Sequence, residues 1–216
     1  MKKILFNDKY SLTQAVLDGR KTMTRRVITY PSRFRDENIA GLYRYGIVLG
    51  DQLNVVLYDA DERIDSYYIS PKYKVGEVLA IAQSYESLGM NPEIALNDRD
   101  GIGFYTKTKF APGWKNKMFV CADLMPHHIR ITGIKIEKLQ GISDEDCLKE
   151  GIGKYFIGFD SLHTDYMGFT YSFDESGKYK YPNAKQAFAA LIDKVSGKGA
   201  WSSNPYVFVY EFKLVD

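Results

Sequence analysis

The chain predicts a mainly β fold with flanking helices, of the α+β class, built on a twisted, barrel-like sheet. Strand-like runs outnumber helical ones, and no regular strand–helix–strand alternation appears, which argues against a doubly wound parallel sheet. Two runs, Val78–Ala82 and the one opening at Tyr206, are apolar on both faces, the pattern of a buried strand. The longest strand pattern, 127–139, changes phase at Gly133, the mark of a β-bulge.

Ile4–Phe6 reads as a short first strand. Residues 8–18 read as a helix, with Leu12, Ala15, Val16 and Gly19 at helical spacing. Ser11 and Gln14 are spaced as a capping box, and Gly19 is placed to end the helix in the left-handed conformation. Pro31 to Ala40 is a polar loop. Runs at 42–49, 53–58 and 64–69 alternate and are separated by Gly50-Asp51 and by 59–62, which predicts a meander or hairpin. Residues 86–118 are loop-rich, with a short strand near 103–108. Ser143 to Glu150 forms a helix that starts well: Ser143 caps it, and Asp144, Glu145 and Asp146 suit the positive end of its dipole. Residues 152–182 read as irregular and aromatic. Residues 183–195 form a helix with Ala184, Ala187, Phe188, Leu191, Ile192 and Val195 on one face. Pro205 opens the last strand, 206–214. No linker divides the chain, so residues 1–216 read as one domain with insertions at about 29–70 and 152–182.

Composition excludes several classes. With 45% hydrophobic and 26% charged residues in 216, neither disorder nor a collagen-like chain fits. Lys plus Arg is 29 and Asp plus Glu 27, so overall charge gives no reason to bind nucleic acid or membrane, and any basic footprint is local. Two cysteines, Cys121 and Cys147, lack metal-site spacing and predict free thiols in a reducing compartment. The apolar run after Lys3 is too short for a signal peptide, and no window approaches a membrane span. A soluble cytoplasmic protein is expected. Neither a dinucleotide fingerprint, a P-loop nor a serine-hydrolase elbow is present.

The densest candidate for chemistry is Gly19–Arg26, where Arg20, Lys21, Arg25 and Arg26 flank Thr22 and Thr24. Arginines bind anions bidentately, and crowded cations lower a lysine's pKa and so favour it as a base. A threonine beside that base supplies a hydroxyl donor or nucleophile. The plainer reading is a solvated basic loop after a helix. In a regular strand Lys21 and Thr24 would face apart, so they converge only if the segment turns. Glu150 is the second candidate. An acid in the last turn of a helix opposes the dipole and calls for a cation partner. In the third, Tyr155–Tyr181, nine of 27 residues are Tyr or Phe, suited to base stacking or simply to packing an insertion. His127 and His128 alternate across a strand and His163 stands apart, so no metal site is expected.

Leu17-Asp18-Gly19-Arg20-Lys21-Thr22-Met23-Thr24-Arg25-Arg26 resembles the G-x-K-T-x-T-x-R signature of the ASCH domain, a branch of the PUA-like superfamily. Val75–Leu79, Ile134–Ile152 with its Glu150-Gly151 ending, and Asn204–Phe212 resemble later stretches of that family in the same order. About half the chain is covered, in a pattern nearest the longer ASCH-like proteins of phages and prophages. The resemblance implies a PUA-like β pseudo-barrel with a cleft where the basic segment meets the end of the Glu150 helix. One bacterial branch hydrolyses N4-acetylcytidine to cytidine and acetate. Its catalytic lysine, threonine and glutamate fall on Lys21, Thr24 and Glu150. Lys21 would then be the base toward Thr24, and Glu150 would shuttle a proton or hold Lys21. Arg20, Thr22, Arg25 and Arg26 would bind substrate, with Arg26 on a carbonyl or developing oxyanion. No cofactor or metal is implied.

Three functions follow as expectations. A hydrolase of modified nucleosides requires Lys21, Thr24 and Glu150 to converge within hydrogen-bonding reach. A module binding RNA or a modified nucleotide requires a continuous basic strip through Arg20, Arg25, Arg26, Arg33 and Arg35, and salt-sensitive binding. A phage or host interaction protein requires neither.

Overall fold

The computed structural model describes residues 1–29, 46–49, 52–57, 67–93, 95–96, 106–157, 168–174 and 179–215. Its centre is a five-stranded sheet of β1 (Lys3–Ile4), β2 (Met23–Val27), β6 (Val78–Ile81), β9 (His128–Lys138) and β12 (Tyr206–Leu214), in the order β1-β6-β9-β12-β2. β1 runs parallel to β6, and the other pairs are antiparallel, so the sheet is mixed. A separate antiparallel meander joins β3 (Gly46–Leu49), β4 (Gln52–Leu57) and β5 (Tyr67–Ile69), close to the runs expected there. The short pair β7 (Ala95–Leu96) and β8 (Thr106–Lys107) lies in the loop-rich stretch. The polar loop expected at 31–40 lies outside the described residues.

The sheet is open, not a closed barrel, with β1 and β2 as its edges. A side chain bridges those edges: Arg26 Nη2 donates to the Leu5 carbonyl at 2.6 Å. The expected bulge is present. Glu211 pairs with Gly133 but Phe212 pairs with Ile131, leaving Thr132 as the extra residue on β9. A Cβ at Gly133 would lie 3.1 Å from Glu211 Oε2, the end of an exposed side chain.

β6 is apolar on both faces because it separates two cores. Leu79 and Ile81 enter the main core, whereas Ala80 and Ala82 pack with Tyr85, Val120 and Met125 under the loop-rich segment. β12 is buried on both faces from Val207 to Tyr210, as a strand paired on both sides and covered by helices must be.

Three expectations need correction. The helix over 8–18 is broken into a 3-10 turn, Asp8–Tyr10, and α1 (Leu12–Leu17). Ser11 between them adopts φ +52° and makes no side-chain cap; Asn7 instead caps the first turn through Lys9 N–H. The Asp8 carboxylate is held by Thr13 Oγ1 and Lys117 Nζ, which fixes the break. The first strand is Lys3–Ile4, not Ile4–Phe6. The stretch 152–182 is not irregular throughout: β10 (Gly153–Ile157) and β11 (Gly168–Ser172) form an antiparallel hairpin. Phe156, Ile157 and Phe169 there are exposed, so neither strand shows an alternating buried face. Cross-strand pairs such as the Phe156–Phe169 edge contact hold the hairpin instead.

α2 (Asp144–Lys149) and α3 (Ala184–Ser196) pack on the sheet and on each other. Ser143 caps α2 by accepting from Asp146 N–H, and Asn183 caps α3 by accepting from Gln186 N–H. Among the described residues no helix is long and apolar enough to cross a membrane.

Candidate active site

The site is assembled by two helix ends and one free sheet edge. α1 closes at Asp18, and Gly19, at φ +72°, reverses the chain in the left-handed region as expected. Lys21 N–H then donates to Ala15 O and Thr22 N–H to Lys149 O, so Lys21 sits in a turn before β2. Strand alternation therefore does not separate it from Thr24. Within β2, Phe212 N–H donates to Thr22 O and Ile28 N–H to Tyr206 O. By antiparallel alternation, the main-chain groups of Met23, Arg25 and Val27 face away from β12, along the open edge. A cavity of about 700 Å³ runs along that edge. It collects Lys21, Thr24, Arg25, Arg26 and Val27 from one side, Glu150 from the end of α2, and Phe188, Leu191 and Lys198 from α3 and the following loop.

Glu150 lies at the C-terminal end of α2 and is 4% exposed. Lys21 Nζ donates to both its carbonyl oxygen and its Oε2, each at 2.7 Å. One buried ammonium thus satisfies an orphan helix carbonyl, offsets the negative end of the dipole and pairs with the carboxylate. Burial pushes the Lys21 ammonium below the usual lysine range; Glu150 opposes that shift, while Arg26 and Arg25 add to it. The Phe6 ring lies 5.9 Å from the ammonium.

Arg25 binds the other side of Glu150, with Nη1 3.0 Å from Oε1. Its Nε and Nη2 also donate to Glu137 Oε1, at 3.1 and 2.5 Å, and Nη2 reaches Asp146 Oδ2 at 3.2 Å. Burial works against this charge, but Glu150 and Glu137 overcome it and hold the guanidinium above its usual range. Lys135 completes the cluster, 3.2 Å from both Glu137 and Asp146. Burial opposes the Asp146 charge too, yet the Lys135 hydrogen bond keeps the carboxyl below its ordinary range.

Lys21 and Glu150 are thus hydrogen-bonded, although 129 residues apart in sequence, and Thr24 lines the same cavity. Arg26 lies at the same cavity and is exposed. The other expected substrate-binding residues are placed differently. Arg20 turns to solvent and pairs with Asp18 at 3.0 Å, outside the cavity lining. Thr22 ties α2 to β12 through its main chain and does not line the cavity either. The Arg25 side chain, 1% exposed, is committed to three carboxylates and holds Glu150 in place. Arg33, Arg35 and His163 lie outside the described residues. Cys147 is buried, which pushes its thiol up to about 12, so it supplies no thiolate nucleophile at neutral pH. Among the described residues no group of three metal-ligating side chains occurs.

Sequence reasoning missed Glu137, Lys135 and Asp146. Two signals were available: Asp146 stands four residues before Glu150 on one helix face, and Lys135 and Glu137 share a face of β9.

Gly151 follows Glu150 at φ +98°, where an L side chain is strained although a Cβ would meet only ordinary contacts at 3.5 Å. Gly151→Ala is expected to lower unfolding free energy by about 1–2 kcal/mol in urea titrations. A change under a few tenths would show that the turn relaxes freely.

A scan of protein-family models, a search of curated proteins and a search of solved structures each found no match to this chain.

Proposed function

We propose that the chain is an ASCH-like amidohydrolase of PUA-like fold that removes an acyl group from the exocyclic amine of a modified nucleoside such as N4-acetylcytidine. One observation carries the reading: the buried 2.7 Å contact between Lys21 and Glu150 stands in the cavity that Thr24 also lines. One contact supports the fold assignment: Arg26 of edge strand β2 reaches the carbonyl of Leu5, just after edge strand β1.

In the proposed reaction neutral Lys21 takes the proton of Thr24 Oγ1, and the oxygen attacks the acyl carbon. The tetrahedral adduct collapses with cleavage of the C–N bond, and the Lys21 ammonium returns the proton to the departing amine. Water then attacks the Thr24 ester, gives a proton back to Oγ1 and releases the carboxylic acid. Glu150 holds Lys21 in register, and Arg25 holds Glu150. The depressed basicity of Lys21 suits this role, because a base works best near the operating pH. The basic-strip reading is weaker, since Arg25 is withdrawn from the surface.

Purified protein is expected to release acetate from N4-acetylcytidine. Thr24→Val, which preserves shape, should lose at least about a hundredfold in kcat/KM. The rate should rise with pH as Lys21 loses its proton, with a midpoint below that of an ordinary lysine. Folded protein without turnover on this substrate and its acyl homologues would overturn the reading.

A further inference from the structure

The scheme above leaves Arg26 without a role. This side chain lines the main cavity and also a second one of about 370 Å³, walled by Phe208, Tyr73 and Tyr210. The two cavities share Leu5, Arg26 and Val27, so Arg26 stands at their junction. One of its N–H groups is used on the Leu5 carbonyl, and a guanidinium carries five. Lys198 lines the first cavity from a loop turned by Gly197 and Gly199, at φ +103° and +89°. Lys72 lines the second.

Among the described residues the charges lining the two cavities do not balance. Glu150 is the one acid among the described residues lining either cavity, and Lys21 and Arg25 already occupy it. Arg26, Lys198 and Lys72 have no carboxylate partner among the described residues. One such cation in each cavity and a third shared by both favour a multiply charged anion, and the planar guanidinium of Arg26 favours oxygens it can bind in pairs. We infer that the ligand of this site carries a phosphate, bound by Arg26 where the two cavities meet, with Lys198 and Lys72 on either side. This rests on the nucleoside reading of the main cavity and adds to it: the base-bearing part enters beside Lys21, and the phosphate stays at the mouth. The phosphate belongs either to a mononucleotide or to a chain that continues into the second cavity.

Calorimetric titration of the full chain with cytidine, cytidine 5′-monophosphate and a cytidine dinucleotide tests it. The monophosphate is expected to bind about tenfold tighter than cytidine or better. Arg26→Gln should collapse that ratio to about twofold or less, Arg26→Lys should keep part of it, and Lys198→Gln should reduce it. A dinucleotide tighter than the monophosphate identifies a chain as the source; equal affinity identifies a mononucleotide. Equal binding of cytidine and its monophosphate, a ratio untouched by Arg26→Gln, or no binding of either would overturn the inference. Phosphate preference without any acetate release would sink the hydrolase reading alone. Turnover of N4-acetylcytidine without phosphate preference would sink this one alone.

Discussion

Glu150→Ala is expected to destabilise the protein by about 3–5 kcal/mol, measured by urea unfolding at neutral pH. The side chain is 5% exposed, and two cations, Lys21 at 2.7 Å and Arg25 at 3.0 Å, depend on it. Removing the carboxylate leaves the Lys21 ammonium buried without its counter-ion. The double variant Lys21→Met/Glu150→Leu should regain much of the loss, because apolar replacements remove both desolvated charges together. Acetate release should stay absent in it. A Glu150→Ala deficit below about 1 kcal/mol would instead mark an exposed, weakly coupled pair.

Arg25→Met should be comparably severe, about 3–5 kcal/mol, for the opposite reason. It leaves Glu137, Asp146 and Glu150 facing one another, with Lys135, Lys149 and Lys21 as the remaining cations beside them. Arg25 and Glu150 share a contact, so their effects should not add: the double variant Arg25→Met/Glu150→Ala should cost less than the sum by more than about 0.5 kcal/mol. Additivity would show that Arg25 does not hold Glu150. Acid titration gives a second readout. Asp146 has a lowered folded-state pKa, so its stabilisation is complete above the ordinary aspartate range and is lost as pH falls through the folded value. Unfolding free energy should therefore drop with acid in the wild type, and less steeply in Lys135→Met, since Lys135 does most to lower Asp146.

How much of this was legible depended on whether the signal was local. Gly19 ends its helix as its position implied, Ser143 caps α2, and the phase change at Gly133 marks a bulge, because a few neighbouring residues set each of these. Glu150 was legible in a different way. An acid at the wrong end of a dipole advertised a missing cation, and Lys21 and Arg25 fill that place. The carboxylate cage of Arg25 was not legible, since its partners Glu137 and Asp146 lie 112 and 121 residues away. Ser11 failed as a cap because Lys117, 109 residues from Asp8, fixes the preceding turn. The hairpin of β10 and β11 gave no periodic pattern because its aromatic residues face solvent and one another.

The placement of β12 has a consequence for how the chain is made. Among the described strands, residues 206–214 alone pair with both β2 and β9, so without them this sheet is in two pieces. During synthesis, α1, β2, β9 and α2 all leave the ribosome before β12. The pairings of β12 with β2 and β9 are of long sequence separation and slow to close. Residues 206–214 thus act as a latch for the sheet: β2 joins β9 through them alone among the described strands.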